Sequence, residues 1–193
     1  MILYHYSEDP AITVFHPRPI PEQAPGTVPL PPGYADTHLV WAIDEAHAPL
    51  YWFPRDCPRV AFWALPTSTP EDIASFLGHT AACWVIAIEG AWLERLRRTM
   101  LYAYRLPGDT FQPQGAHGGP GYYLSREAVV PLSVEPVGDL LARHAAAGIE
   151  LRITPSLWPL HRALPGSTLH SSLVRMRNAR PEGAAVPNGD GRR

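Results

Sequence analysis

Apolar and polar positions along this chain change over in short runs, and most of the runs are closed by proline or glycine. Ile2–Ser7, ILYHYS, is rich in aromatic and aliphatic residues and predicts a strand, as does His38–Ile43. Arg59–Leu65 predicts a third strand, and Cys83–Glu89 reads as a buried one because its apolar run is nearly unbroken. Leu101–Pro107 resumes as strand, and Ile149–Thr154 is a final strand candidate. Tyr122–Pro136 holds one bent strand or two short ones, with Pro131 at an edge or bulge.

Helix signals are fewer. Ser68 or Thr69 caps a helix that has Pro70 in its first turn, acidic residues next and Gly78 as its stop. Asp44 predicts the N-cap of a short helix over Glu45–Phe53, limited by Pro49. Ala91–Thr99 is helical, and Val137–Ala147 spaces Val137, Leu140, Leu141 and His144 on one face before Gly148. SLWPLHRAL is ambiguous, and SSLVRMRN fits strand or helix. Strands outnumber helices and do not alternate with them strictly. The expected fold is therefore α+β: one domain over residues 1–179, with a mixed, mostly antiparallel sheet and a few short helices. Residues 180–193 read as a disordered tail.

Composition narrows the function classes. The chain of 193 residues is long enough for one real core, and its 23 prolines predict stiff, extended connections, above all in the long loop around residues 17–33. A formal net charge of −2 without a basic run gives nonspecific nucleic-acid binding little support. No apolar run approaches the roughly 20 residues of a membrane span, and the start lacks the pattern of a signal peptide, so a cytoplasmic location is the default. Two cysteines are too few for a disulfide framework or a cysteine-rich zinc site, and no metal is expected. The oligomeric state leaves no mark in the sequence.

Five stretches could carry chemistry. DEAH, Asp44–His47, spells a helicase motif, but no phosphate loop accompanies it, and it reads better as acidic residues at a helix start. YHYS places His5 and Ser7 beside Tyr4 and Tyr6, so a planar polar ligand could find stacking and hydrogen bonds there. By strand alternation, His5 and Leu3 face one way and the two tyrosines the other. A histidine on that apolar side is more often a satisfied core residue than a catalyst. In FPRDCPR, prolines hold Arg55 in place for an ion pair or an anion, and Cys57 lies between two arginines that would lower its thiol pKa. Burial as a small apolar residue is the stronger reading of Cys57. Glu127 sits where a carboxylate could act as a base or hold a ribose hydroxyl, or simply face solvent. The glycine-rich GAHGGPG matches no dinucleotide fingerprint and reads as a loop over a pocket.

Taken together, LYHYSEDPAITVFHPR, VWAIDEAHAPLYWFPRDCPRV and GYYLSREAVVPLSVEPVGDLLARH resemble a family of short bacterial proteins of unknown function. At a greater distance the layout is similar to the ADP-ribosyltransferase superfamily. That resemblance implies NAD as substrate, with His5 and Ser7 at the nicotinamide ribose and Tyr51 stacked on the base. Arg55 would then meet the diphosphate. The superfamily's usual glutamate position falls near Gly121 or Tyr122 rather than on Glu127, which leaves the catalytic base unassigned. Two functions from different classes stay open. One is an enzyme that binds NAD or ADP-ribose, with His5, Tyr51 and Glu127 as catalytic residues and Tyr4, Ser7 and Arg55 as ligand contacts. The other is a non-catalytic binding domain for a small molecule or a protein on the same fold. A cysteine hydrolase using Cys57 is a third and weaker reading.

Overall fold

A computed structural model describes residues 1–19, 38–114 and 121–184. Most of the proline-rich loop, the centre of the glycine-rich loop and the end of the tail lie outside these residues. The fold is α+β, with two sheets that are mostly antiparallel and a few short helices. The chain divides into two compact units, residues 1–55 with 95–147 and residues 56–94 with 148–193.

In chain order the strands are β1 (Ile2–Ser7), β2 (Arg18–Pro19), β3 (His38–Ile43), β4 (Arg59–Trp63), β5 (Trp84–Glu89) and β6 (Tyr102–Pro107). They continue with β7 (Gln112–Pro113), β8 (Tyr122–Ser125), β9 (Ser133–Pro136), β10 (Ile149–Thr154) and β11 (His170–Val174). The helices are α1 (Pro70–Asp72), extended by a π turn over Ile73–Leu77, α2 (Leu93–Arg98), α3 (Leu140–Ala146) and α4 (Trp158–Ala163).

The first unit is built on an antiparallel sheet of order β7-β8-β3-β1-β6-β9, with β2 also pairing to β3. Register decides what each face carries, because directly paired residues share a face and neighbours along a strand do not. Leu3, Val40, Ala42, Tyr104 and Leu106 fall on one face and form a core with Phe15, Phe111 and Val129. The buried Tyr104 also fastens the segment after β1: its hydroxyl donates to the Asp9 carbonyl at 2.7 Å and accepts from the Ile12 amide at 3.1 Å. Tyr4, Tyr6, Ala103 and Arg105 lie on the opposite face.

The second unit holds the sheet β10-β5-β4-β11, in which only β10 and β5 run parallel. The unbroken apolar run of β5 is explained by burial on both faces, since Val85 and Ala87 join one core with Val60, Phe62 and Leu157 while Ile86 and Ile88 are equally buried. The α1 signals act as read: Thr69 Oγ1 accepts from the Asp72 amide, and Pro70 opens the helix. At the end of β5 the buried Glu89 takes the amides of Leu157 and Arg180 on its two oxygens. The chain is thus still anchored at Arg180, where the tail was expected to begin, and Trp158 Nε1 donates to the Arg180 carbonyl as well.

One local expectation changes and two open ones are decided. The helix expected over Glu45–Phe53 is only a 3₁₀ turn, Ala48–Tyr51, because Pro49 occupies its start and the flanking residues are held by side chains instead. Tyr122–Pro136 resolves into two strands with Pro131 between them. In SSLVRMRN the strand β11 ends at Val174, and a 3₁₀ turn follows over Met176–Asn178.

Candidate functional site

A cleft of about 300 Å³ lies in the first unit, on the sheet face that carries Tyr4 and Tyr6. Its floor follows from register. Tyr4 stands opposite Arg105, and Tyr6 opposite Ala103, which in turn stands opposite Glu135 on β9. Ala103 is the small residue in that row, so the floor dips between Tyr6 and Glu135. The rings of Tyr4 and Tyr6 are near parallel, with centroids 6.3 Å apart and planes 17° apart. A third ring between them would need about twice the 3.5–4.0 Å contact distance, so a flat ligand fits against their outer faces rather than between them.

One wall is the segment that follows β3, which contributes Glu45, Ala48 and Trp52. Asp44 sets its course: its Oδ1 accepts from the His47 amide at 2.9 Å and from His47 Nδ1 at 2.7 Å. The Asp44 amide donates to the Gly121 carbonyl. Helix α3 holds the far end. Asp139 caps it by accepting from the Ala142 amide, the His144 ring packs on Trp52 and Phe53, and the Arg143 guanidinium lies 4.8 Å from the Trp52 ring centre. Arg143 also donates to the Val137 carbonyl. Its orientation is therefore fixed by the protein.

Burial pushes the Tyr6 hydroxyl up to about 12, with the Trp52 side chain acting in the other direction. The Trp52 indole N–H is shielded from water and makes no well-formed hydrogen bond, so its effect on Tyr6 is one of proximity. Tyr6 stays protonated at neutral pH and can serve as a neutral donor. Among the described lining residues there is no histidine, cysteine or serine; the carboxylates of Glu45 and Glu135 are the acid–base groups that face the cleft. Among the described residues no group of three or more histidine, cysteine or acidic side chains could hold a metal ion, and no helix is long and apolar enough to cross a membrane.

Of the residues singled out from the sequence, Tyr4 lines this cleft and the other five do not. His5 points to the other face, against Phe15 at 4.7 Å, and its Nδ1 donates to the Trp41 carbonyl at 2.8 Å. Tyr51 meets Tyr122 edge-on at 5.9 Å, and Tyr122 pairs with Ile43, which pairs with Tyr4. Tyr51 and His5 are thereby assigned to opposite faces of the sheet, and the described cleft holds neither. Ser7 is buried and accepts from the Asp9 amide, shaping the turn after β1. Arg55 is exposed, and its amide donates to Glu8. Glu127 lies beyond the end of β8, exposed, with its amide on Ser125 Oγ. Sequence reading notes Tyr6 beside Tyr4 but misses Trp52, Arg105, Glu45, Glu135 and Arg143 as their companions; the charged Arg105 inside the apolar run LYAYRLP was the one local signal.

The model of a family of unknown function, DUF6886, matches residues 4–179. The chain belongs to that family. This agrees with the family resemblance carried by the three long motifs. No curated protein matches the DUF6886 chain, and no solved structure does, so its ADP-ribosyltransferase likeness gains nothing from comparison.

Cys57 is fully buried, its thiol turned to the Pro58 carbonyl, whereas Cys83 is exposed. Iodoacetamide at neutral pH should modify one thiol per native chain and two after unfolding, counted by mass spectrometry. Rapid modification of Cys57 in the native protein would revive the hydrolase reading.

Proposed function

We propose that the cleft of the first unit is a binding site, rather than a catalytic one, for a small molecule with a flat, polar ring. One observation carries this reading: Tyr4, Tyr6 and Trp52 line a single hollow together with charged side chains, with no histidine, cysteine or serine among the described lining residues. Aromatic walls with a few placed polar groups are what small-molecule sites use. The volume stands at the lower end of the roughly 300–1,000 Å³ usual for such sites, which suits one ring system and its substituents better than both halves of a dinucleotide.

The resemblance to ADP-ribosyltransferases makes NAD, ADP-ribose and nicotinamide the first compounds to try, with adenosine beside them. Ribosyl transfer would require His5, Tyr51 and Glu127 around one ligand, and the cleft draws on none of them. Thermal unfolding tests the proposal. Ligand at about one hundred times its Kd should raise the melting temperature by roughly 5–10 °C. Tyr4→Ala should abolish the rise, and Tyr51→Phe should leave it. A shift that survives Tyr4→Ala but is lost in Tyr51→Phe would move the site elsewhere. Release of nicotinamide from NAD without an acceptor would make the protein an enzyme and overturn the non-catalytic part.

A further inference from the structure

The two ends of the cleft differ in the charged groups they leave unengaged. Arg105 is exposed on β6 opposite Tyr4, and among the described residues it makes no ion pair. Arg143 lies at the Tyr6 end, where its charge acts on Tyr6, but the Val137 carbonyl and the Trp52 ring already engage its guanidinium. Glu135 and Glu45 lie at the Tyr6 end, and among the described residues neither makes an ion pair. Arg105 and Glu135 belong to adjacent rows of the sheet, Tyr4–Arg105–Ser133 and Tyr6–Ala103–Glu135. With two residues per row step at about 3.4 Å each, the cationic and acidic rows are about 7 Å apart along the strands. The rings of Tyr4 and Tyr6 span the same two rows.

We infer that the ligand is a nucleoside monophosphate, with its phosphate on Arg105, its sugar hydroxyls on Glu135 and Glu45, and its base against the two tyrosines. This rests on the cleft being the binding site. A guanidinium that makes no ion pair among the described residues is suited to a phosphate, which it meets with two parallel hydrogen bonds. Carboxylates repel an anion but accept from hydroxyls, so the ligand's orientation is fixed by charge. A ribose carries its phosphate and its ring hydroxyls on opposite sides and can reach both rows. An α-amino acid with an aromatic side chain cannot, because its two charges share one carbon.

Isothermal titration with AMP, 2′-deoxy-AMP and adenosine tests this on wild type, Arg105→Gln and Glu135→Gln. AMP should bind at least tenfold tighter than adenosine, and Arg105→Gln should erase that advantage while leaving adenosine binding and the urea midpoint unchanged. Loss of the 2′-hydroxyl should weaken AMP several-fold in wild type and hardly at all in Glu135→Gln. If adenosine and AMP bind alike, or AMP keeps its advantage in Arg105→Gln, the two-ended assignment falls while the aromatic cleft stands. If none of the three binds at millimolar concentration, the nucleotide assignment falls, and the cleft is judged by its response to nicotinamide.

Discussion

Gly121→Ala is expected to destabilise the protein by about 3 kcal/mol or more, read from the urea midpoint. Gly121 has φ +81, where a side chain other than glycine's is strained, which costs about 1–2 kcal/mol. The larger part is steric. A Cβ there would stand 2.4 Å from His47 Nδ1 and 2.7 Å from His47 Cβ, and relieving that overlap adds about 1–3 kcal/mol. Gly138 provides the control, since its φ is +84 and nothing lies within 4 Å of its would-be Cβ. Gly138→Ala should therefore cost only the conformational part, and the difference between the two variants measures the clash. Equal costs would show that His47 moves aside freely. His47→Ala in the Gly121→Ala background should recover part of the loss, because the contact at Cβ remains. The same change reaches the cleft: shifting His47 disturbs its bonds to Asp44, and with them the segment that presents Glu45, Ala48 and Trp52.

That link between a glycine after one loop and a cleft wall far from it in the sequence shows why the site was hard to read from sequence. The strands Ile2–Ser7 and His38–Ile43 are legible because alternation and β-branched or aromatic content are local properties. Helix α1 is legible because Thr69 and Pro70 announce it. Alternation even separates His5 from Tyr4 correctly. Which face forms a hollow depends on pairings that join residues far apart in the chain, such as Tyr4 with Arg105 and Ala103 with Glu135. No local pattern encodes those registers. Attention goes to His5 because histidine is chemically versatile, while the cleft is assembled from tyrosines, arginines and glutamates that look ordinary one at a time. The segment Glu45–Phe53 misleads for a related reason: its path is set by Asp44, His47 and Gly121 acting together, not by helix propensity.

His5 has a role that the strand itself explains, and it leads to the second large effect. β1 and β3 pair at the single register Tyr4↔Ile43, and past it the His5 ring takes the Trp41 carbonyl. Burial is the main reason its pKa falls from the usual 6.5 to about 4; the bond to Trp41 opposes the shift, and the positive charges of Arg55 and Arg18 add to it. The folded value lies below the unfolded one, so the contribution is fully present above pH 6.5 and is lost as pH falls through the window down to about 4. The whole shift corresponds to about 3 kcal/mol, and by pH 5 about 2 kcal/mol should have gone. Urea unfolding at pH 7.5 and pH 5 measures this, with His5→Gln as reference. The glutamine amide can still donate to the Trp41 carbonyl but cannot gain a proton, so the variant should lose about 1 kcal/mol at pH 7.5 and then fall less steeply. Subtracting the two curves removes the other histidines and the carboxylates. Parallel curves would mean that His5 titrates normally in the folded protein and that its ring is open to water.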